Sequence, residues 1–281
     1  MNELLTKLTE ALTNEQTVTL VTVIEVGVDV PATIKTGNKR LIGSAGDVTG
    51  SLGDVKLDTV VDHEIEHLVS QGSEDTITLW TKQFSSSASL TYPNVRLLIE
   101  ILRPQPCLLI CGAGHIARAL TQLGLILGFR AIVIDDREEF ANRSYFPDTR
   151  VELYAQPFTQ ALATIKVSPH MAVVIVTRGH HYDEDCLRLL LNTTTHYIGM
   201  IGSRRRVAVV MERLHKEGYL PAQLARVRAP IGLDIGARTP EEIALTILAE
   251  IVLVRNRGEN IDDCRPLSRR RSSSHQTIAD C

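Results

Sequence analysis

The sequence predicts an α/β protein in which a parallel sheet covered by helices follows a smaller α+β domain. Three observations support this prediction. Residues 107–137 run from an apolar strand through a glycine turn and a helix to a second strand that ends in acids. From Cys107 onward, apolar strands alternate with amphipathic helices, as in parallel sheets that are covered on both faces. Before residue 103 the chain is instead rich in β-branched runs and glycine-marked turns.

The first region, residues 1–103, predicts the smaller α+β domain. Its β-branched runs suit strands, and two of its segments have apolar residues at helical spacing. Arg103-Pro-Gln-Pro106 stops the last strand and predicts the linker to the next domain. The predicted elements are a helix at 3–12, a strand at 17–26, short strands and turns at 37–53, a helix at 57–69, and strands at 76–81 and 95–102.

The second region, residues 104–258, predicts a Rossmann-like domain. Thr239 as N-cap, Pro240 at the first helical position and Glu242 two positions later form a capping box that marks the start of its last helix. Residues 259–281 are polar and predict a disordered tail, because they bury too little apolar surface to fold. The further predicted elements are strands at 151–154, 172–177 and 197–201, and helices at 158–165, 183–191, 204–215 and 240–255.

Composition excludes several classes of protein. The chain of 281 residues carries 30 basic and 33 acidic side chains, and a net charge of -3 gives no preference for nucleic acid or anionic membranes. A basic triplet at 269–271 is therefore interpreted as part of a solvated tail rather than a nucleic-acid patch. No apolar run reaches the roughly 20 residues that cross a bilayer, and the first residues do not resemble a secretory leader, so we expect a cytoplasmic protein. The 5 cysteines do not suggest a disulfide framework.

The glycine turn is the first candidate for cofactor binding. Gly112 permits a tight turn, and Gly114 lets the backbone approach a phosphate. Ala117 stands where a third small residue allows the helix to pack closely on the sheet. The helix that begins at His115 offers unpaired N–H groups and a partial positive charge to an anion. Strand, turn, helix and strand in this order are a dinucleotide-binding fingerprint.

The acidic end of the second strand extends this candidate site. Asp135 follows Gly112 at about the twenty-residue spacing that places a carboxylate beside a ribose hydroxyl. Arg137 would leave room for a 2′-phosphate. An NAD(P)-dependent oxidoreductase is therefore an alternative, with His180 as the candidate proton donor. A module that senses a dinucleotide without chemistry is a second alternative.

Three further loops should open at the carboxyl edge of the sheet, where doubly wound folds bind ligands. They cover residues 177–183, 199–206 and 230–237. Together they bring glycines, arginines, a histidine and two aspartates around one crevice. The candidate binding residues in these loops are Thr177, Arg178, Gly179, His180, Gly199, Gly202, Ser203, Arg204, Arg205, Asp234 and Gly236.

An arginine run at the start of a helix is a candidate anion site. Arg204, Arg205 and Arg206 occupy the first turn, where the helix dipole disfavours each cation by about 0.3 to 1 kcal/mol. A bound phosphate would reverse that sign, and Ser203 as N-cap leaves N–H groups and guanidinium forks available to it. The alternative is that solvated arginines tolerate the position at small cost.

Two histidine patterns are weighed against metal sites. His180 beside His181, with Asp183 nearby, could bind a metal or shuttle protons, but no further ligand stands at suitable spacing. A hydrogen-bonded loop histidine is preferred. His63 and His67 match the spacing of zinc-protease ligands, yet the pattern fits the solvated face of an amphipathic helix better. No metal site is predicted.

These motifs together resemble the xanthine dehydrogenase accessory factor family, also called the XdhC/CoxI family. The resemblance rests on residues 106–137, 177–180, 197–206 and 230–244, which occur in the family's order. It implies a chaperone rather than an enzyme, which binds molybdenum cofactor (molybdopterin), assists its sulfuration and delivers it to an apo molybdenum hydroxylase. It also implies a cysteine desulfurase as a second partner and leaves a homodimer open. The absence of a convincing nucleophile, base and oxyanion set agrees with this.

One departure from the family pattern concerns sulfur. Many members carry a Gly-Gly-Cys segment in the N-terminal domain, a plausible soft ligand for molybdenum. This chain has Gly-Ser-Leu-Gly-Asp at 50–54 and no cysteine before Cys107. Direct thiolate contact from that segment is therefore excluded here.

Overall fold

The computed structural model describes residues 2–43, 46–70, 76–81 and 94–257, which form two sheets and their covering helices. The predicted α/β class is confirmed. The tail predicted at 259–281 lies outside the described residues. In the part of the chain that is described, no helix combines the length and apolar character needed to cross a bilayer.

The first sheet is antiparallel and belongs to the N-terminal region. Its elements are α1 (Asn2–Thr13), β1 (Val18–Val26), β2 (Lys39–Gly43), β3 (Val48–Ser51), α2 (Val55–Ser70), β4 (Thr76–Trp80) and β5 (Val95–Leu102). The strand order is β3-β2-β1-β5-β4, and β5 is buried at alternate residues. Helix α2 covers one face through Leu57, Val61 and Ile65, while α1 covers the other near Ala11.

The second sheet is parallel and belongs to the remainder of the described chain. Its elements are β6 (Cys107–Cys111), α3 (His115–Ile126), β7 (Arg130–Asp135), β8 (Val151–Ala155), α4 (Phe158–Thr164), β9 (Met171–Ile175), α5 (His180–Leu190), β10 (Tyr197–Met200), α6 (Arg204–Lys216), α7 (Pro221–Leu224), β11 (Val227–Arg228) and α8 (Pro240–Arg257). The strand order is β11-β10-β9-β6-β7-β8. Every residue of the inner strand β6 is buried, because helices cover both faces. The order reverses beside β6, which is where ligands bind in open α/β sheets.

The predicted elements agree with this order, with two differences. The sequence does not predict α7 or β11, which are too short to show periodicity. Helix α5 begins at His180 rather than at Asp183, so the prediction that residues 177–183 form a loop is wrong for its second half. The predicted capping box of α8 is confirmed: the Thr239 hydroxyl accepts from the Glu242 N–H at 3.2 Å, and the Glu242 carboxylate accepts from the Thr239 N–H at 3.1 Å.

Candidate functional site

The glycine turn after β6 has the shape that its sequence predicts. Gly112 has a φ of 114°, and a Cβ there would lie 2.5 Å from the Val176 carbonyl oxygen of the neighbouring segment. Gly114 is the N-cap of α3, and a Cβ there would have no heavy atom within 4 Å. His115 is exposed and Ala117 is fully buried beneath the first turn. The turn is therefore tight on its protein side and open on its solvent side.

Asp135 supports this turn from the end of β7. One carboxylate oxygen accepts from the Ala113 N–H at 2.8 Å and from Arg137 Nη2 at 2.9 Å. The other accepts from the Arg137 N–H and Nε at 3.1 and 2.8 Å. Burial alone would raise the pKa of Asp135, but these hydrogen bonds outweigh it and hold the pKa below its ordinary value. Both oxygens are engaged within the protein, so contact with a ribose would require Arg137 to move.

Arg137 is itself held in place. Its guanidinium carbon lies 3.9 Å from the centroid of the Phe140 ring, and its Nε and Nη2 are committed to Asp135. The hydrogen bond to Asp135 is the largest contribution to its raised pKa. The expected 2′-phosphate contact would compete with this pair.

The loop after β9 is tied to the helices that follow it. Thr177 is buried, and its hydroxyl bonds the carboxylate of Asp183, which is fully buried in the first turn of α5. The second carboxylate oxygen of Asp183 bonds the guanidinium of Arg206 on α6. One buried carboxylate therefore connects the loop after β9 to helix α6, which follows β10. The sequence gives no sign of this connection, because Arg206 lies far from the other two residues along the chain.

Helix α5 begins directly at the sheet edge. Gly179 is its N-cap, with extended φ and ψ of -151° and 147°. His180 is the first helical residue, which puts its backbone at the crevice, and His181 is exposed on the same turn. The expectation that these two histidines lie on a loop is therefore wrong.

Arg178 links the segments that follow β7 and β9. Its Nη2 donates to Asp136 Oδ2 at 2.8 Å and to the Tyr182 hydroxyl at 2.7 Å, and its guanidinium carbon lies 4.8 Å from the centroid of the Tyr182 ring. Asp136 follows β7, Arg178 follows β9, and β6 lies between these strands. The ion pair consequently spans the carboxyl end of β6, at the glycine turn.

The N-terminus of α6 lies where the sequence predicts it, and anion binding there stays a prediction. Ser203 is its N-cap, and its hydroxyl accepts from the Arg206 N–H at 3.3 Å. Arg204 and Arg205 are exposed, and neither has a hydrogen bond or ion pair with any residue in the described ranges. Gly202 precedes this cap. Arg206 differs from its two neighbours because Asp183 already holds it.

The last loop, which follows β11, is fixed by packing at Gly199 and by hydrogen bonds to Glu250. A Cβ at Gly199 would lie 2.3 Å from Ile231 Cδ1, so this glycine serves packing between β10 and the chain after β11. The Gly232 N–H and the Tyr197 hydroxyl both donate to Glu250 Oε2, at 2.9 and 2.6 Å. Burial, and then the Glu250 charge, raise the pKa of Tyr197. Asp234 and Gly236 lie exposed further along the same loop.

These positions meet at one edge because every strand of the second sheet is parallel. The glycine turn, Arg178, the α6 N-terminus and the last loop all follow the carboxyl ends of strands. Sequence reasoning does not find the partners Asp136, Tyr182 and Glu250, or the pairing of Asp183, which become visible only in the fold. Ligand contact by the candidate residues stays a prediction.

The described residues offer little support for metal binding or for thiol chemistry. No group of three or more histidine, cysteine, aspartate or glutamate side chains in the described chain is placed to hold a metal ion. His63 and His67 lie exposed on α2. Cys107, Cys111 and Cys186 are free thiols and buried. Burial raises the pKa of Cys107 to about 12, which disfavours its thiolate.

Comparison with known proteins adds a family and several relatives. The family model described as the XdhC Rossmann domain matches residues 108–251. YqeB of Escherichia coli strain K12 is 35% identical over 160 residues, covering 57% of this chain and 29% of that protein. A protein of Bacillus subtilis strain 168, named as a probable xanthine dehydrogenase component, is 33% identical over 161 residues, covering 57% of this chain and 46% of that protein.

A third relative has a more specific name. The molybdenum cofactor insertion chaperone PaoD of Escherichia coli strain K12 is 27% identical over 170 residues, covering 59% of this chain and 53% of that protein. The chain thus spans from 29% to 53% of the length of these curated relatives.

Proposed function

Because the chain belongs to the XdhC Rossmann domain family, we propose that it binds molybdenum cofactor and assists insertion into a molybdenum hydroxylase of the xanthine dehydrogenase type. One observation carries the proposal: the family match over residues 108–251 contains every candidate binding residue from Gly112 to Gly236. A relative named as a molybdenum cofactor insertion chaperone and another named as a probable component of xanthine dehydrogenase support the same role.

The crevice suits the anionic part of such a cofactor. Molybdopterin carries a phosphate, and helix N-termini bind phosphates through free N–H groups and the helix dipole. Helices α3 and α6 both begin at this edge, one behind the open Gly114 and the other behind Ser203. Arg204 and Arg205 add two cations that no described residue neutralises. The cofactor would supply its redox chemistry to the hydroxylase, while this chain would grip and orient it.

The state of two carboxylates at this edge, Asp135 and Asp183, supports holding rather than chemistry. Asp135 is bonded to Arg137, and Asp183 is bonded to Arg206 and Thr177. A general base needs a carboxylate that can reach the substrate proton. Both of these carboxylates instead stabilise the loops that would surround a ligand.

Sulfuration of the cofactor forms the finer part of the proposal. The described thiols Cys107, Cys111 and Cys186 are all buried, so none can receive sulfur at the surface without rearrangement. The N-terminal region contributes no cysteine. Because no exposed thiol lies among the described residues, the proposal is that sulfur comes from a partner of the cysteine desulfurase type, acting on cofactor held in this crevice.

An NAD(P)-dependent oxidoreductase is the second candidate, supported by the glycine turn. The fingerprint requires an acid that is free to bind the ribose. Asp135 has the right position, but its oxygens are satisfied by Arg137 and the Ala113 N–H. Binding of the dinucleotide would break these bonds, which makes this candidate the weaker one.

The test is to identify what the protein carries from cells that make molybdopterin. Protein purified without oxygen is oxidised, and released pterin is measured by fluorescence, with nicotinamide determined in the same extract. Pterin without nicotinamide is the expected result. Nicotinamide without pterin would reverse the order of the two candidates.

A charge reversal locates the site. Arg204→Glu with Arg205→Glu should abolish pterin uptake while shifting stability by about 0.5 kcal/mol or less, since both side chains are exposed. The matched control is Lys35→Glu with Lys56→Glu, which makes the same charge change at exposed positions of the N-terminal region. Uptake retained by the arginine variant would show that the α6 N-terminus is not the anion site.

A further inference from the structure

The ion pair between Arg178 and Asp136 lies across the entrance to the glycine turn. These residues follow β9 and β7, which are separated by β6, so the pair bridges two strand spacings, about 10 Å. The pair therefore lies at the carboxyl end of β6, where the glycine turn and α3 begin.

The two partners differ in how firmly they are held. Tyr182 fixes the guanidinium of Arg178 through a 2.7 Å hydrogen bond and ring contact, independently of Asp136. Asp136 has no comparable anchor among the described contacts. The side chains of Arg178 and Asp136 are 40% and 24% exposed, and an ion pair this close to water contributes little net stability. Arg178 therefore stays in place when its carboxylate partner changes.

We infer that the Asp136 carboxylate competes for Arg178 with a phosphate or pyrophosphate group that binds in this crevice. On binding, Arg178 exchanges the Asp136 carboxylate for the ligand's phosphate oxygens, and on release it returns to Asp136. Guanidinium groups bind phosphate and carboxylate oxygens through the same N–H donors, so the Nη2 that donates to Asp136 can donate to the ligand instead. The inference rests on the proposed function only in taking the ligand to be a phosphate-bearing anion, whether a pterin phosphate or a nucleotide.

Competition of this kind suits a carrier. A protein that delivers its ligand must bind it and then release it, and most differences in affinity appear in the dissociation rate. The Asp136 carboxylate weakens binding and stabilises the arginine after the ligand leaves. Removing it should strengthen the grip on any phosphate-bearing probe.

Inorganic pyrophosphate is the probe, titrated calorimetrically into the full chain. Asp136→Asn should lower its Kd by about two- to five-fold, the range that corresponds to one exposed ion pair. The matched control is Asp148→Asn, because Asp148 also pairs with a nearby arginine, Arg150, but lines a different surface. It makes the same change in net charge and should leave the Kd unchanged. Asp136→Glu, which keeps the carboxylate, should behave like the unaltered protein.

A second pair of variants separates competition from simple repulsion. In an Arg178→Gln background, the gain from Asp136→Asn should disappear, because no guanidinium remains to be contested. A gain that persists there would mean that Asp136 only repels the probe, and the inference would be overturned. Equal Kd values for Asp136→Asn and Asp148→Asn would overturn it too, as would pyrophosphate binding by none of the variants. Thermal melts of each variant establish that it folds.

The proposed function and this inference can fail separately. Pterin in the purified protein tests the first, and the pyrophosphate series tests the second. If the protein carries pterin but Asp136→Asn has no effect on pyrophosphate binding, the chaperone proposal stands and the inference about Asp136 is wrong. The reverse pattern would leave an anion site with this exchange but a different ligand.

Discussion

Replacing Gly112 by alanine should destabilise the Rossmann-like region strongly. The residue has a φ of 114°, and a Cβ would lie 2.5 Å from the Val176 oxygen and 2.9 Å from its carbonyl carbon. The left-handed backbone costs about 1 to 2 kcal/mol for a residue with a side chain. Forcing a methyl group against backbone that cannot rotate away adds about 1 to 3 kcal/mol. The sum, about 2 to 5 kcal/mol, corresponds to a fall of about 4 to 20 °C in Tm for a region of this size.

Two other glycines separate the cost of the left-handed backbone from the cost of the steric clash. Gly128 has a φ of 81°, but an added methyl group there would have no heavy atom within 4 Å, so Gly128→Ala should lose only about 2 to 8 °C. Gly114 has a φ of -75° and equally open space, so Gly114→Ala should leave Tm within about 2 °C while reducing ligand uptake. Differential scanning calorimetry measures all three variants. A Gly112→Ala variant no less stable than Gly128→Ala would refute the argument that the turn is packed against Val176.

Three further changes test other parts of the structure. Asp183→Asn should cost about 1.5 to 3 kcal/mol in urea unfolding, because Arg206 loses its buried anion; an unchanged midpoint would contradict that pairing. Thr239→Ala should cost about 1 kcal/mol by removing the cap of α8, whereas Thr239→Ser should not. Burial lowers the pKa of His196, so the unfolded chain protonates first and the free energy of unfolding should decrease as the pH falls below about 6.5. His196→Asn should lose less stability over that interval, and equal pH slopes would argue against a buried neutral ring.

Local patterns predict much of the fold. The glycine turn, the cap at Ser203 and the capping box at Thr239 each depend on residues within a few positions, and the structure contains all three. The parallel sheet follows from alternating strands and helices. Its single edge then brings the candidate loops together, as parallel strands require.

The sequence cannot predict how the charged side chains pair. Asp135 and Arg137 both suit a ligand when read along the chain, yet in the fold they bind each other. Asp183 is a buried anion in the first turn of α5. The apolar periodicity predicts that this helix begins at Asp183, but it begins three residues earlier, at His180. Gly199 resembles a ligand-binding glycine, but the Ile231 side chain occupies the space beside it. Ile231 follows β11, a strand too short to predict from the sequence. Each of these facts depends on contacts that local patterns do not reveal.

The buried Asp183 carboxylate also constrains how the protein can change over time. It bonds Thr177 on one side and Arg206 on the other, so the loss of Asp183 leaves the Arg206 guanidinium without this buried anion, and the loss of Arg206 leaves the buried carboxylate without this cation. Relatives that replace Asp183 by a neutral residue should also replace Arg206, and the two positions are expected to covary. The surface arginines Arg204 and Arg205 have no such tie and are free to diverge with the ligand that each descendant must accept.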